Sequence, residues 1–215
     1  DVTIEADGVA YDPLDGVTVF DAVDDDNLTI SVSIVDDTVQ DVTDEGIDTY
    51  TVGVYTITYT VSDAAGNPAE QKTRTVTVED TKKPTINLGT IGAAYNFEAK
   101  AYDDDSNIAS LLYNPLDSVT AFDLVDGPID LASENYTINA PGGTFVGEIR
   151  SDDDLGDYKI TYTVTDTAGN EATVIRTVTV EDTIFPVIDL GGIINSIINT
   201  SDGVLYDPLE GVTAK

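Results

Sequence analysis

The sequence predicts an all-β chain of tandem two-sheet sandwiches. Three observations carry that prediction. Long phrases recur at a nearly constant offset: YTVSDAAGN (59–67) returns as YTVTDTAGN (162–170), 103 positions later. Inside those phrases apolar residues alternate with Thr, the period of a half-buried strand. No long segment has helical periodicity.

The repeats come first, because they set the domain count. VGVYTITYTVSDAAGN (52–67) matches LGDYKITYTVTDTAGN (155–170). TRTVTVEDTKKPTINLG (73–89) matches IRTVTVEDTIFPVIDLG (175–191). Upstream, YDPLDGVTVFDAVDDD (11–26) matches YNPLDSVTAFDLVDGP (113–128), and a third copy, YDPLEGVTA, starts at Tyr206. The spacing implies one domain over 1–82, a second over 83–184 and the start of a third over 185–215. Short connectors ending at Pro84 and Pro186 mark the joints. The opening VTIE aligns with TINL (85–88) and VIDL (187–190), which would start the chain just after a joint, as an excerpt of a longer protein. The second domain carries what reads as an insertion over 90–110.

Each element has a local reason. In YTITYTV, Ile57, Tyr59 and Val61 alternate with Thr58 and Thr60; Ile160, Tyr162 and Val164 repeat the pattern. Val76 and Val78 alternate with Thr75 and Thr77 in RTVTVED. DAAGN and DTAGN are turn chemistry, with Gly for positive φ and Asp and Asn to bond the turn backbone. Each phrase is therefore a β-hairpin, the last of its domain. LTISVSIV (28–35), TFVGEIR (144–150) and the VTVF and VTAF segments supply further strands. Several short strands per roughly 100 residues, without cysteine, suggest an immunoglobulin-like sandwich. Tyr11, Tyr113 and Tyr206 head the Pro turns and read as packed anchors.

The phrases YTVTDTAGN and RTVTVED-T-x-x-P, followed by a YDPL-GVTA segment, make the chain resemble tandem bacterial immunoglobulin-like domains of surface adhesins and S-layer proteins. The resemblance implies a cell-surface or secreted setting; an architectural task, as an adhesin stalk, S-layer or surface filament, is the expectation for this segment. It covers nearly the whole chain, and it says more about fold than about function.

Composition excludes much. The 41 acidic and 9 basic residues give a formal charge of −32, which repels nucleic acid and anionic membranes. No apolar run approaches the roughly 18 residues of a membrane span. Cys, His, Met and Trp are absent, which removes disulfides, thiol nucleophiles, imidazole bases and the usual zinc and haem ligands. The acids fall at repeated positions near domain ends, which suggests a repeated structural task rather than catalysis. No Lys recurs at equivalent places to support a Lys–Asn cross-link.

Two readings of the acids stay open: a solvated acidic surface, or carboxylates grouped to hold Ca²⁺. For the second, the expected topology places the loops. The first strand runs down and the second up, so FDAVDDD (20–26) is expected at the lower pole beside the exit VED (78–80). The next domain's TDTAGN turn (165–170) would approach across the joint. The expected ligands at the first joint are Asp21, Asp24, Asp26, Glu79 and Asp80, with Asp166 or Asn170 closing the shell. The second joint would use Asp123, Asp126, Asp130, Glu181 and Asp182. Asp63 and Asp166 would at minimum brace their turns. The run Asp103–Asp105 reads as a solvated loop.

The expected partners are further repeats or neighbouring copies of the same protein. The incomplete third repeat, with Ile193, Ile194, Ile197 and Ile198, would be completed by continuation of the chain or by a strand from a neighbour. A glycan- or surface-binding module, using Tyr95 and Tyr102, is the alternative, as is an accessory region of a secreted enzyme. Asn27, Asn135 and Asn199 head N-x-S/T sequons.

Overall fold

The computed structural model describes residues 1–24, 28–99, 112–145, 147–189 and 213–214. Its strands are, in chain order, β1 (Val2–Glu5), β2 (Ser31–Val35), β3 (Gly53–Thr60), β4 (Lys72–Glu79), β5 (Thr85–Asn87), β6 (Ala94–Glu98), β7 (Leu112–Tyr113), β8 (Thr120–Asp123), β9 (Gly127–Ile129), β10 (Tyr136–Ala140), β11 (Gly143–Phe145), β12 (Ile149–Arg150), β13 (Gly156–Thr165), β14 (Glu171–Glu181), β15 (Ile188–Asp189) and β16 (Thr213–Ala214). Two single-turn 3₁₀ segments, Gly89–Ile91 and Ser133–Asn135, are the helical elements among the described residues. None is long and apolar enough to cross a membrane. The fold is an all-β immunoglobulin-like sandwich.

Both repeated hairpins form. β3 pairs antiparallel with β4, and β13 lies beside β14. Their turns close in the same way, with Asp63 and Asp166 accepting the backbone N–H of Asn67 and Asn170, each at 2.7 Å. Gly66 (φ 90°) and Gly169 (φ 95°) supply the left-handed residue that these turns need. The alternation is visible in burial: Ile57, Val76 and Val78 are buried in the first repeat, and Ile160, Tyr162, Val164, Val178 and Val180 in the second.

In the first repeat the sheet order is β1-β4-β3-β2, with β1 parallel to β4. Ala6, Ile34 and Tyr55 join Ile57, Val76 and Val78 in its core. In the second repeat a five-stranded sheet runs β11-β10-β13-β14-β6, and β5-β8-β9 forms a three-stranded one. β15 and β16 make a two-stranded pair, with Ile188 opposite Ala214.

Three expectations need correction. VTIE is the counterpart of Tyr95–Glu98 rather than of TINL: β1 and β6 both run parallel to the last strand, with Glu5 opposite Glu79 and Glu98 opposite Glu181. Ala94–Glu98, read as part of an insertion, is therefore β6, a regular strand held by β14. VTVF forms no strand, whereas its counterpart VTAF does, because Thr85–Asn87 pairs with it in antiparallel register. By contact the chain divides into two compact units that do not follow the repeat limits. One comprises 1–87, 120–135 and 163–174, and the other 88–119, 136–162 and 175–215.

An Arg–Tyr lock that periodicity alone did not single out occurs in both repeats. Tyr59 donates its hydroxyl to the Pro13 carbonyl at 2.7 Å, and Tyr162 donates to the Pro115 carbonyl at 2.6 Å. Arg74 donates to the Tyr11 hydroxyl at 3.0 Å and lies over the Tyr59 ring; Arg176 donates to the Tyr113 hydroxyl at 2.6 Å and lies over the Tyr162 ring. Tyr11 and Tyr113 are thus turn anchors, as read; Tyr206 lies outside the described residues. Arg176 is fully buried, and desolvation pushes the Tyr162 hydroxyl far above its ordinary pKa.

Candidate metal centre

Three carboxylates converge. Asp80, Asp123 and Asp166 each offer an oxygen, and these lie within 4.8 Å of one another. All three side chains are buried, with 8%, 2% and 8% exposure respectively. Each is placed by a different element. Asp80 follows β4 at the exit of the first repeat. Asp123 ends β8, and Asp166 opens the turn between β13 and β14.

The loop that follows β8 is tied to the β13–β14 turn. Asp126 confirms it by accepting the Thr167 N–H at 2.7 Å and the Thr167 hydroxyl at 2.6 Å. Asn170 ties the exit strand in, donating from Nδ2 to the Asp80 carbonyl at 3.1 Å.

The hydrogen bonds differ in a telling way. Asp123 Oδ1 accepts the N–H of Val125 at 2.7 Å and of Asp126 at 3.2 Å. Asp166 accepts the backbone N–H and side-chain amide of Asn170 at 2.7 and 2.9 Å. Burial would raise the Asp166 pKa, but the Asn170 donors outweigh it and hold the carboxyl below its ordinary value. Asp80 Oδ1 accepts only a long bond from Lys82 N–H at 3.2 Å, and its buried Oδ2 has no partner among the described residues. Burial first, and the Asp123 charge second, push the Asp80 carboxyl above its ordinary value. A buried carboxylate oxygen without a donor, facing two more carboxylates, is costly unless a cation or a proton answers it.

The donor set is all oxygen, which suits a hard cation. Two oxygens on opposite sides of Ca²⁺ stand about 4.8 Å apart at its usual bond length of about 2.4 Å. The cluster spacing fits that limit.

The other expected ligands are placed elsewhere. Asp21 caps its own turn through the N–H groups of Val23 and Asp24 at 2.8 and 3.0 Å. Asp24 accepts the Ala64 N–H at 2.8 Å, so FDAVD lies beside its own repeat's hairpin turn, not beside the exit. FDAVD, between β1 and β2, is therefore held at the β3–β4 turn of its own repeat rather than at the exit after β4. Glu79 is exposed, Asp130 is exposed, and Asp182 is exposed and accepts the Ile184 N–H. Glu181 accepts from Asn96 Nδ2 at 3.2 Å. Asp26, Asn27, Tyr102, Asp103–Asp105, Ile193, Ile194, Ile197, Ile198 and Asn199 lie outside the described residues. Tyr95 stacks on Tyr113 at 5.3 Å. The Asn135 amide is engaged with Ala132 N–H and the Thr163 carbonyl.

A second brace sits at each exit. Glu5 accepts the Thr81 N–H at 3.0 Å and hydroxyl at 2.5 Å, and Glu98 takes Thr183 in the same way at 2.7 and 2.6 Å. The Thr hydroxyls, followed by the N–H groups, hold both carboxyls below their ordinary values. Residue types alone gave no warning of this brace, although the repeated E-D-T phrase was its signal.

These features define a chain of repeated immunoglobulin-like β units. The sequence profile of the family described as bacterial surface protein, Ig-like domain, matches residues 1–78 and 150–180. The chain belongs to that family. No curated protein sequence matches it. Among solved structures, human CDH23 EC21–23 is similar at 15% identity, with 87% of this chain and 76% of that one covered and a TM-score of 0.29. A 1.5-MDa bacterial ice-binding adhesin is similar at 16% identity over 77% of this chain and 58% of that one, with a TM-score of 0.25. A Ca²⁺-stabilized adhesin of an Antarctic bacterium that binds ice is similar at 17% identity over 76% and 43%, with a TM-score of 0.22.

Proposed function

We propose that this chain is an architectural segment of an extracellular bacterial surface protein, an adhesin stalk, S-layer or surface filament, and that Ca²⁺ ties its repeats together at Asp80, Asp123 and Asp166. The observation that carries the reading is the buried Asp80 Oδ2, without a donor and turned toward two further buried carboxylates. Asp80 belongs to the first sequence repeat, and Asp123 and Asp166 belong to the second. A cation held by all three cross-links consecutive repeats, with domain limits at 1–82, 83–184 and 185–215.

Bound Ca²⁺ supplies positive charge and oxygen coordination. The chain's own residues do the rest. Asn170 fixes the Asp80 backbone and the Asp166 carboxylate together, and the N–H groups after Asp123 hold that carboxylate in place. The Glu5–Thr81 brace sets the direction of the exit strand.

Small-angle scattering and thermal melting with and without millimolar Ca²⁺ test the reading. Ca²⁺ is expected to stiffen the particle and raise the melting temperature, and Asp123→Asn is expected to abolish both responses. A parent protein indifferent to Ca²⁺ would refute it.

A further inference from the structure

A two-carboxylate device recurs in both repeats. In the first, Asp21 Oδ1 accepts the N–H groups of Val23 and Asp24, and Asp24 Oδ2 accepts the N–H of Ala64, the residue after the turn's Asp63. In the second, Asp123 Oδ1 accepts the N–H groups of Val125 and Asp126, and Asp126 Oδ2 accepts the N–H of Thr167, the residue after Asp166. The spacing is Asp-x-x-Asp in both places. The leading Asp shapes its own loop. The trailing Asp reaches 40 positions along the chain in the first repeat and 41 in the second, to the hairpin turn.

The second repeat adds a bond. Thr167 stands where Ala64 stands in the first, and its hydroxyl donates to Asp126 Oδ1 at 2.6 Å. Both Asp126 oxygens are thereby engaged with one residue. The converging carboxylates are Asp80, Asp123 and Asp166, without Asp126. Yet Asp126 shares a loop with Asp123, and its partner Thr167 is the neighbour of Asp166. The segments that carry two of the three carboxylates are therefore fastened together by bonds that need no metal. Buried like charges repel, so such a group would otherwise spread apart. A site held in place before its ligand arrives binds more tightly, because less freedom is lost on binding.

We infer that Asp126 is a positioning residue for the cation site: with Thr167 it clamps the Asp123 loop to the Asp166 turn, and it acts through geometry rather than as the ligand expected from the sequence. The inference rests on the metal reading above. The clamp depends on hydrogen-bond shape more than on charge. Asn at position 126 can accept the Thr167 N–H through Oδ1 and donate from Nδ2 to the Thr167 hydroxyl, so it keeps the clamp. Ala at the same position loses both bonds.

The test is a set of Ca²⁺ titrations of the 215-residue protein and its variants, followed by NMR through the Asn170 side-chain amide. That amide reports on this site because its Nδ2 bonds both the Asp166 carboxylate and the Asp80 carbonyl. Asp126→Ala is expected to weaken Ca²⁺ binding at least tenfold and Asp126→Asn less than threefold. Thr167→Val keeps the N–H bond and removes the hydroxyl, so about fivefold is expected. Asp24→Ala makes the same cut in the first repeat and is expected to leave the Asn170 titration unchanged, which separates positioning from lost stability. In chelator the Thr167 amide should exchange slowly in the parent and fast in Asp126→Ala. Equal weakening by Asp126→Asn and Asp126→Ala assigns the effect to charge or coordination and overturns the clamp while Ca²⁺ binding stands. Unchanged affinity in Asp126→Ala, or an equal loss in Asp24→Ala, overturns it too. Where Asp126→Ala does not fold, Thr167→Val decides, and parent-like affinity there overturns the inference. A parent protein whose Asn170 amide ignores millimolar Ca²⁺ sinks the metal reading and this inference with it.

Discussion

Replacing Arg176 by Met keeps most of the stem's volume and removes every donor. The wild-type side chain is fully buried and donates to the carbonyls of Gly92 and Leu88 and to the Tyr113 hydroxyl. Each acceptor left without a partner costs about 1–3 kcal/mol. Relief from burying a guanidinium returns part of that. A net loss of about 3 kcal/mol follows, roughly a hundredfold in the opening equilibrium of the surrounding strands. Arg74→Met is the internal control. Arg74 is half-buried and donates from one nitrogen, so about 1 kcal/mol is expected there. Amide hydrogen exchange reads the two repeats separately. Amides of β13 and β14 should exchange roughly a hundredfold faster in the Arg176 variant, and those of β3 and β4 only severalfold faster in the Arg74 variant. Acceleration below threefold at β13 and β14, or equal effects in the two repeats, would refute the reasoning.

Three further outcomes are expected. Asp80→Asn places an amide where Oδ2 lacks a donor, so without metal it should stabilise the protein by about 1 kcal/mol in urea unfolding, while removing any Ca²⁺ response. The pH dependence follows from the raised Asp80 carboxyl: its folded-state pKa exceeds the unfolded one, so its penalty is present at neutral pH and fades as pH falls through the raised value. The metal-free parent should therefore gain stability relative to Asp80→Asn on acidification toward the ordinary carboxylate range, whereas Ca²⁺ stabilisation should be lost over the same range; parallel melting curves for the two proteins would contradict this. Thr81→Val removes the hydroxyl that chiefly lowers the Glu5 carboxyl, so the Glu5 titration followed by NMR should move up toward its ordinary value.

Much of this architecture was legible in the repeats. The Thr-Val-Ile-Tyr alternation placed both hairpins, since each apolar position has one face to bury. The D-x-A-G-N turns were legible because Gly and Asp have few other reasons to recur there. Asp80, Asp166 and Asn170, grouped from the sequence, lie together in the structure. Asp123, expected at the second joint, lies with Asp80 and Asp166 instead, because the sequence does not show where the end of β8 is carried. That depends on β8 pairing with residues 85–87, a contact across more than thirty residues with no local signature. The Arg–Tyr locks were written in TRTVTV and IRTVTV, yet a single Arg in an alternating strand looks like any solvent-facing residue. Only the converging tyrosine hydroxyls distinguish it.

The most direct test of the central claim is a calorimetric Ca²⁺ titration of the parent protein beside Asp123→Asn. Asn retains the Oδ1 acceptor for the Val125 and Asp126 amides, so the turn survives while the charge is lost. The account predicts a binding event in the parent that is absent or weakened at least tenfold in the variant. Equal heats in the two proteins, or none in the parent at millimolar Ca²⁺, would contradict it.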